Sequence, residues 1–204
     1  MNTLEGVTII GLTGQSGAGK TTASAFFADC GIPVIDCDEV SRYVAGFPSF
    51  LDEVEAAFPG CVTDGKLERQ KLASIVFNDQ IKLRLYTDMI FPYITEEVYA
   101  RIGRYKSAGI KLIILDAPTL FESGIDNICS AVISVTAPFE VKLRRVLERD
   151  NIPVDLVVSR ISSQHNEEFF SERSDYMIVN NGDLSDLKKS VVDIAQDLKE
   201  RFDA

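Results

Sequence analysis

Residues 14–21 read Gly-Gln-Ser-Gly-Ala-Gly-Lys-Thr and fit G-x-x-x-x-G-K-[ST] at every fixed position. This string constrains the fold because it needs a strand before it and a helix after it. Both contexts are present. Residues 7–12 form a short β-branched run that reads as a buried strand. Residues 20–29 carry Ala23, Phe26 and Phe27 at helical spacing, and Gly31 follows as a stop signal. Glycines let the loop curl so that backbone N–H groups converge on a phosphate. The helix that follows adds its positive N-terminus. Lys20 is placed to neutralise outer phosphates, and the Thr21 hydroxyl to ligate Mg²⁺.

The rest of the chain alternates strand and helix patterns. Strands are expected at 33–35, 110–115, 131–135 and 176–179. Pro138 opens a helix to about 150, in the first-turn position that proline favours. Residues 184–198 form a clear amphipathic helix through Leu184, Leu187, Val191, Ile194 and Leu198. Strands alternating with helices imply a parallel sheet covered on both faces. The expected class is α/β: a three-layer P-loop NTPase fold with a five-stranded parallel sheet.

Residues 39–107 differ from this pattern. Helical periods occur at 40–44, 50–58, 67–77, 81–90 and 92–105, punctuated by Pro48, Pro59-Gly60 and Pro92. So much helix exceeds what one crossover needs. The expected division is a core of 1–39, 108–146 and 174–204, a helical insertion at 40–107, and a polar lid at 147–173.

Composition limits the partners. The net charge of −10 argues against holding a long nucleic-acid backbone, whose affinity comes from phosphate neutralisation. It does not prevent one locally basic pocket. Cys30, Cys37, Cys61 and Cys129 make no CxxC pair, and with the lone His165 they lack zinc spacing. They read as small hydrophobes. No apolar run reaches the length of a membrane helix, and the N-terminus lacks a leader pattern. The expectation is a soluble, cytoplasmic protein, either a monomer or a small homo-oligomer.

Two further clusters carry chemistry. Asp36 and Asp38 follow the second strand, at the sheet edge where ligands bind in open α/β folds. A carboxylate there could take the proton of an attacking hydroxyl or hold a metal-bound water. Asp38 could also cap the helix that begins near Glu39. Arg145 and Arg149 are four residues apart on the helix after Pro138, so an anion between them would relieve their repulsion. Arg160 and Arg173 bracket the polar segment and could ride on a closing lid. The DxxG and NKxD strings of a GTPase are missing, which leaves the small kinases.

The chain resembles the dephospho-coenzyme A kinase family over nearly its whole length. The resemblance rests on Gly11-Leu12-Thr13-Gly14, Val34-Ile35-Asp36-Cys37-Asp38 with Arg42, and Asp64-Gly65-Lys66-Leu67-Glu68-Arg69. It continues through Asp116-Ala117-Pro118-Thr119-Leu120-Phe121-Glu122, Arg144-Arg145 to Arg149, Arg160-Ile161-Ser162-Ser163-Gln164, and Asn180-Asn181-Gly182. It implies Asp38 as base on the ribose 3′-hydroxyl of dephospho-coenzyme A, with Lys20 and Arg145 on the transferring phosphoryl group. ATP would be bound by residues 14–22, including Gly14, Ser16, Gly17, Ala18, Gly19, Lys20, Thr21 and Thr22. Arg145 and Arg149 would add to that site, and Thr21 would hold Mg²⁺. The insertion would hold the acceptor, and residues 147–173 would form the lid.

Three positions depart from the family's usual pattern. Phe91-Pro92 stands where a His-Pro pair is usual, Pro118-Thr119-Leu120 replaces Pro-Leu-Leu, and Gln15 follows the first glycine in place of glycine. Two other readings stay open on the sequence. One is a small-molecule kinase with another acceptor, such as a nucleoside or nucleotide. The other is a nucleotide-binding switch without catalysis.

Overall fold

The structure, a computed structural model, describes residues 4–204. Residues 1–3, the start of the expected core segment and of the N-terminus read for a leader, lie outside the described residues. In chain order the strands are β1 (Thr8–Gly14), β2 (Val34–Asp36), β3 (Val62–Thr63), β4 (Lys66–Leu67), β5 (Leu112–Asp116), β6 (Ala131–Thr136) and β7 (Tyr176–Val179). Five of them form one sheet in the order β2-β5-β1-β6-β7, while β3 and β4 make a separate antiparallel hairpin. β1 lies between β5 and β6 and runs parallel to both, and β6 runs parallel to β7.

The central strands are continuous apolar runs because both of their faces are covered. Ile10, Leu12, Ile114, Ile133, Val135 and Ile178 face one core cluster. Helix α1 (Lys20–Asp29) brings Ala23 and Phe27 to it. On the opposite face Leu120 lies over Gly11, where a Cβ would stand 2.7 Å from its side chain. Register sets the site: Gly14 pairs with Val135, and Leu12 with Asp116, so the ends of β1, β5 and β6 meet.

The chain divides into two compact units, one made of residues up to Ile35 plus Tyr105–Ala204, the other of Asp36–Arg104. The second unit holds α2 (Cys37–Val44), α3 (Pro48–Ala57), the hairpin, α4 (Arg69–Val76) and most of α5 (Gln80–Ser107). Phe50 centres its core, packing edge-on against Tyr86 and Tyr93. Both Glu55 carboxylate oxygens accept backbone N–H groups, from Gly60 at 2.6 Å and Val62 at 2.9 Å, and this closes the turn into β3.

Sequence reasoning broke the last helix of this unit at Pro92. The helix instead runs unbroken for 28 residues with Pro92 inside it. An interior proline costs about 3 kcal/mol in a helix. Here Pro92 is exposed, so its ring meets solvent, and Tyr86 before it and Tyr93 after it both pack on Phe50. Tyr93 donates to Glu53 at 2.8 Å, and Arg101 and Arg104 both reach Glu97.

In the first unit, α6 (Phe139–Asp150) starts one residue after Pro138, which therefore sits at the N-cap and not in the first turn. Residues 151–175, weakly periodic in sequence, fold into α7 (Val154–Ser162) and α8 (Glu167–Arg173). Their apolar stripes are short: Val157 and Ile161 pack on Val146, and Phe170 is buried. Asn166 caps α8 by accepting the Phe169 N–H at 3.0 Å. Helix α9 (Leu184–Arg201) closes the chain, buries Leu187, Val191, Ala195 and Leu198, and packs on α1. No helix among the described residues is long and apolar enough to cross a membrane.

Candidate active site

The glycine-rich loop joins the end of β1 to α1. Gly17 and Gly19 have φ of 79° and 100°, a region that favours glycine. A side chain at Gly17 would meet the Lys142 carbonyl at 2.8 Å, and one at Gly19 would strike the Asn180 amide. Gly19 also occupies the N-cap of α1. Having no side chain, it cannot cap the first-turn N–H groups, and those donors need an outside acceptor. The loop is thus shaped to meet an anion.

Cationic groups converge on the loop from two directions. The Lys20 ammonium is paired with the Asp116 carboxylate at the end of β5. The Arg145 guanidinium donates to the carbonyls of Gly17 (3.2 Å) and Ala18 (3.3 Å) and to Asn180 Oδ1 (3.1 Å). Burial pushes the Arg145 guanidinium below its usual range, and neighbouring Arg144 adds to that. It stays charged in any ordinary solution.

Asn180 ties these groups together. Its Nδ2 donates to the Ala18 carbonyl at 2.8 Å, and its Oδ1 accepts from Arg145 and from the Gly182 N–H at 3.2 Å. Its own N–H donates to the Thr136 carbonyl at 2.8 Å. Only 4% of the residue is exposed. Asn180 and Arg145 line a cleft of about 130 Å³ with Gly19, Thr22, Gly182 and Leu184.

Placement of the other candidates varies. Gly14 ends β1, Ser16, Gly17, Ala18 and Gly19 follow Gln15 in the loop, and Lys20, Thr21 and Thr22 open α1, with the Thr21 side chain at the surface. Arg149 does not face the loop as Arg145 does. Its side chain is 59% exposed and binds Asp150 at 2.6 Å. Arg160 binds the same carboxylate, and Arg173 lies over the Phe169 ring.

Asp38 belongs to the other unit, exposed in the first turn of α2. The cap of that helix is Asp36, whose Oδ1 accepts the N–H groups of Asp38 (2.8 Å) and Glu39 (3.1 Å). The capping option considered for Asp38 therefore falls to Asp36. This leaves the Asp38 carboxylate outside the cap.

A second cavity, of about 420 Å³, lies beside the loop that follows β5. Phe121, Glu122 and Asp126 line it from that loop, and His165, Phe169 and Arg173 from the α7–α8 segment. The His165 ring stacks on Phe169 at 3.6 Å, and its Nε2 stands 3.3 Å from Glu122 Oε1. Burial pushes the Cys129 thiol up to about 12, and Asp126 adds to the shift, so the thiolate is disfavoured there.

Sequence reasoning missed three members of this arrangement. The sequence marks Asp116 and Asn180 only as parts of longer strings and does not mark Lys142 at all. Strand position could have marked the first two, since each stands at or just past the C-terminal end of a sheet strand, where such folds place their ligands. Lys142 gives no such signal, since a lysine on a helix reads as a solvated residue.

Comparison with known proteins matches this geometry. A model of the dephospho-CoA kinase family fits residues 8–186. A dephospho-CoA kinase of Fusobacterium nucleatum is 36% identical over 187 residues, covering 91% of this chain and 95% of that protein. A Thermus thermophilus protein of known crystal structure superposes with a TM-score of 0.82 at 30% identity, over 94% of this chain and 98% of that one. The dephospho-CoA kinase of Campylobacter jejuni shares the fold, with a TM-score of 0.64 at 20% identity over 94% of this chain and 97% of its own. With a glycine loop built for phosphate, and a sequence match over most of its length, the chain belongs to the dephospho-CoA kinase family.

Proposed function

We propose that the chain transfers the terminal phosphoryl group of ATP to the ribose 3′-hydroxyl of dephospho-coenzyme A, yielding coenzyme A and ADP. The observation that carries this reading is the uncapped α1 N-terminus in the glycine loop, flanked by Lys20 and Arg145. Family membership supplies the acceptor. Residues 14–22 hold the triphosphate with Arg145, and Arg149 would join them on leaving Asp150. Lys20 and Arg145 offset negative charge on the transferring group. The acceptor oxygen forms the new P–O bond while the bond to the β-phosphate oxygen breaks. Asp38 takes the hydroxyl proton.

Residues 40–107 are assigned to the acceptor and 147–173 to the lid. The polar groups near the loop suit Mg²⁺ only together with nucleotide. Among the described residues no group of three or more His, Cys, Asp or Glu side chains could hold a metal alone. Mg²⁺ commonly takes one or two protein oxygens plus substrate phosphates. The Thr21 hydroxyl and Asp116 carboxylate are the residues that would hold it. When bound, it would neutralise charge on the phosphates.

The test is ADP release with MgATP and 3′-dephospho-coenzyme A, with the product mass measured. A gain of one phosphate on the acceptor supports the reading. ATP binding with no transfer would overturn the acceptor assignment, with Phe91 the first position to change.

A further inference from the structure

We propose that Gln15 and Lys142 latch the turn between α7 and α8 onto the glycine loop, making Gln15 a positioning residue for phosphoryl transfer. Gln15 is 7% exposed and Lys142 6% exposed. The Lys142 Nζ donates to Gln15 Oε1 at 2.7 Å. An ammonium has no acceptor, so it fixes which end of the amide faces it. The Gln15 Nε2 must then point away, and it donates to the His165 carbonyl at 2.9 Å. The next loop residue makes a second bond to the same turn: the Ser16 N–H donates to Gln164 Oε1 at 2.9 Å. Consecutive loop residues thus hold consecutive turn residues.

The latch has consequences beyond the turn. His165, Phe169 and Arg173 form one wall of the 420 Å³ cavity. Pinning the turn fixes that wall relative to the loop that meets phosphate. Nothing in the phosphate-binding chemistry of the loop requires a glutamine at 15, and nothing in the helical role of α6 requires a buried lysine at 142. The pair is accounted for by the turn it holds. A fixed turn keeps water from the phosphates, which favours transfer to an acceptor over hydrolysis.

Gln15→Glu separates the latch from the needs of the buried lysine. The carboxylate still accepts from Lys142 but cannot donate to His165. One net hydrogen bond is about 1 kcal/mol, so amide exchange over residues 154–173 should quicken about fivefold in nucleotide-free protein. The melting temperature should fall by no more than about 2–4 °C, the shift that a single such bond is worth in a chain of this size. The ratio of acceptor-independent ATP hydrolysis to transfer should rise several-fold. Lys142→Met should reproduce the faster exchange, and Lys142→Arg should restore it.

Unchanged exchange over 154–173 in Gln15→Glu overturns the latch. A melting temperature lowered by far more than about 4 °C also overturns it, since the role would then be general stability. Faster local exchange with an unchanged hydrolysis ratio overturns the positioning role. The kinetic arm rests on the phosphoryl-transfer reading. If the unaltered chain transfers nothing, that reading fails while the exchange arm still decides the latch.

Discussion

The Lys20 ammonium at the start of α1 and the Asp116 carboxylate at the end of β5 are paired, with 14% and 6% of their side chains exposed. The charge proposed above for phosphate is therefore already engaged. Removing one partner of a buried pair is costly, about 3–5 kcal/mol, because the other charge is stranded. Asp116→Ala should lower the melting temperature of the nucleotide-free protein. ATP in EDTA should then stabilise the variant more than it stabilises the unaltered chain, since phosphate no longer competes with Asp116 for Lys20. Thermal shifts with and without nucleotide measure this. A smaller shift in the variant would sink the competition argument.

Asp36 and Asp38 should behave differently although they stand two residues apart. Asp38→Asn keeps the first turn of α2 intact and should retain ATP binding while turnover falls about 10²- to 10⁴-fold, the usual scale for a lost general base. Asp36→Asn should be nearly silent, because asparagine caps a helix as well as aspartate. Asp36→Ala should cost about 1 kcal/mol of stability through the lost cap. Turnover and melting curves of the three variants separate base from cap. Full turnover in Asp38→Asn removes Asp38 from the mechanism.

Asn180 needs both ends of its amide, one on the Ala18 carbonyl and the other under Arg145. Asn180→Asp keeps the shape but sets a carboxylate against that carbonyl and loses the donor. An unsatisfied buried group costs about 1–3 kcal/mol, so the variant should melt lower, and ATP affinity should fall as the loop and Arg145 lose their support. If Asn180 acts by holding Arg145, Asn180→Ala should add little to the loss already present in Arg145→Ala. Additive losses in the double variant would argue for two separate roles.

Much of this was legible in the sequence, for definable reasons. A parallel strand buried on both faces leaves an unbroken apolar run, so β1, β5 and β6 stand out from their composition. The glycine loop stands out because its backbone shape demands specific residues. Helix α5 was illegible across Pro92, since part of what holds it comes from residues distant in sequence, such as Glu53 bonded by Tyr93 and Phe50 packed on Tyr86. Helices α7 and α8 were illegible because their buried sides are only a few residues wide. Arg145 and Arg149 share a spacing that suggests one ligand, but the adjacent Asp150 draws Arg149 away.

Asp150 joins the end of α6 to α7. It accepts two bonds from Arg149 and one of 2.5 Å from Arg160. The hydrogen bond from Arg149, with Arg160 adding, holds its carboxyl below the usual range. A depressed folded pKa stabilises the protein above the unfolded carboxylate value of about 3.9. That stabilisation fades as pH falls below it through the folded value. The arginines are 59% and 47% exposed, so water and salt screen the pair. The junction should therefore contribute about 1 kcal/mol or less. Asp150→Asn should lower the melting temperature at pH 7 by about 2–4 °C or less in a chain of this size. The difference should shrink in high salt, and it should be smaller at pH 3 than at pH 7, because the contribution fades as pH falls below about 3.9. Melting curves at both pH values check this, and an equal deficit at pH 3 and pH 7 would show that the carboxylate's charge is not what holds α6 to α7.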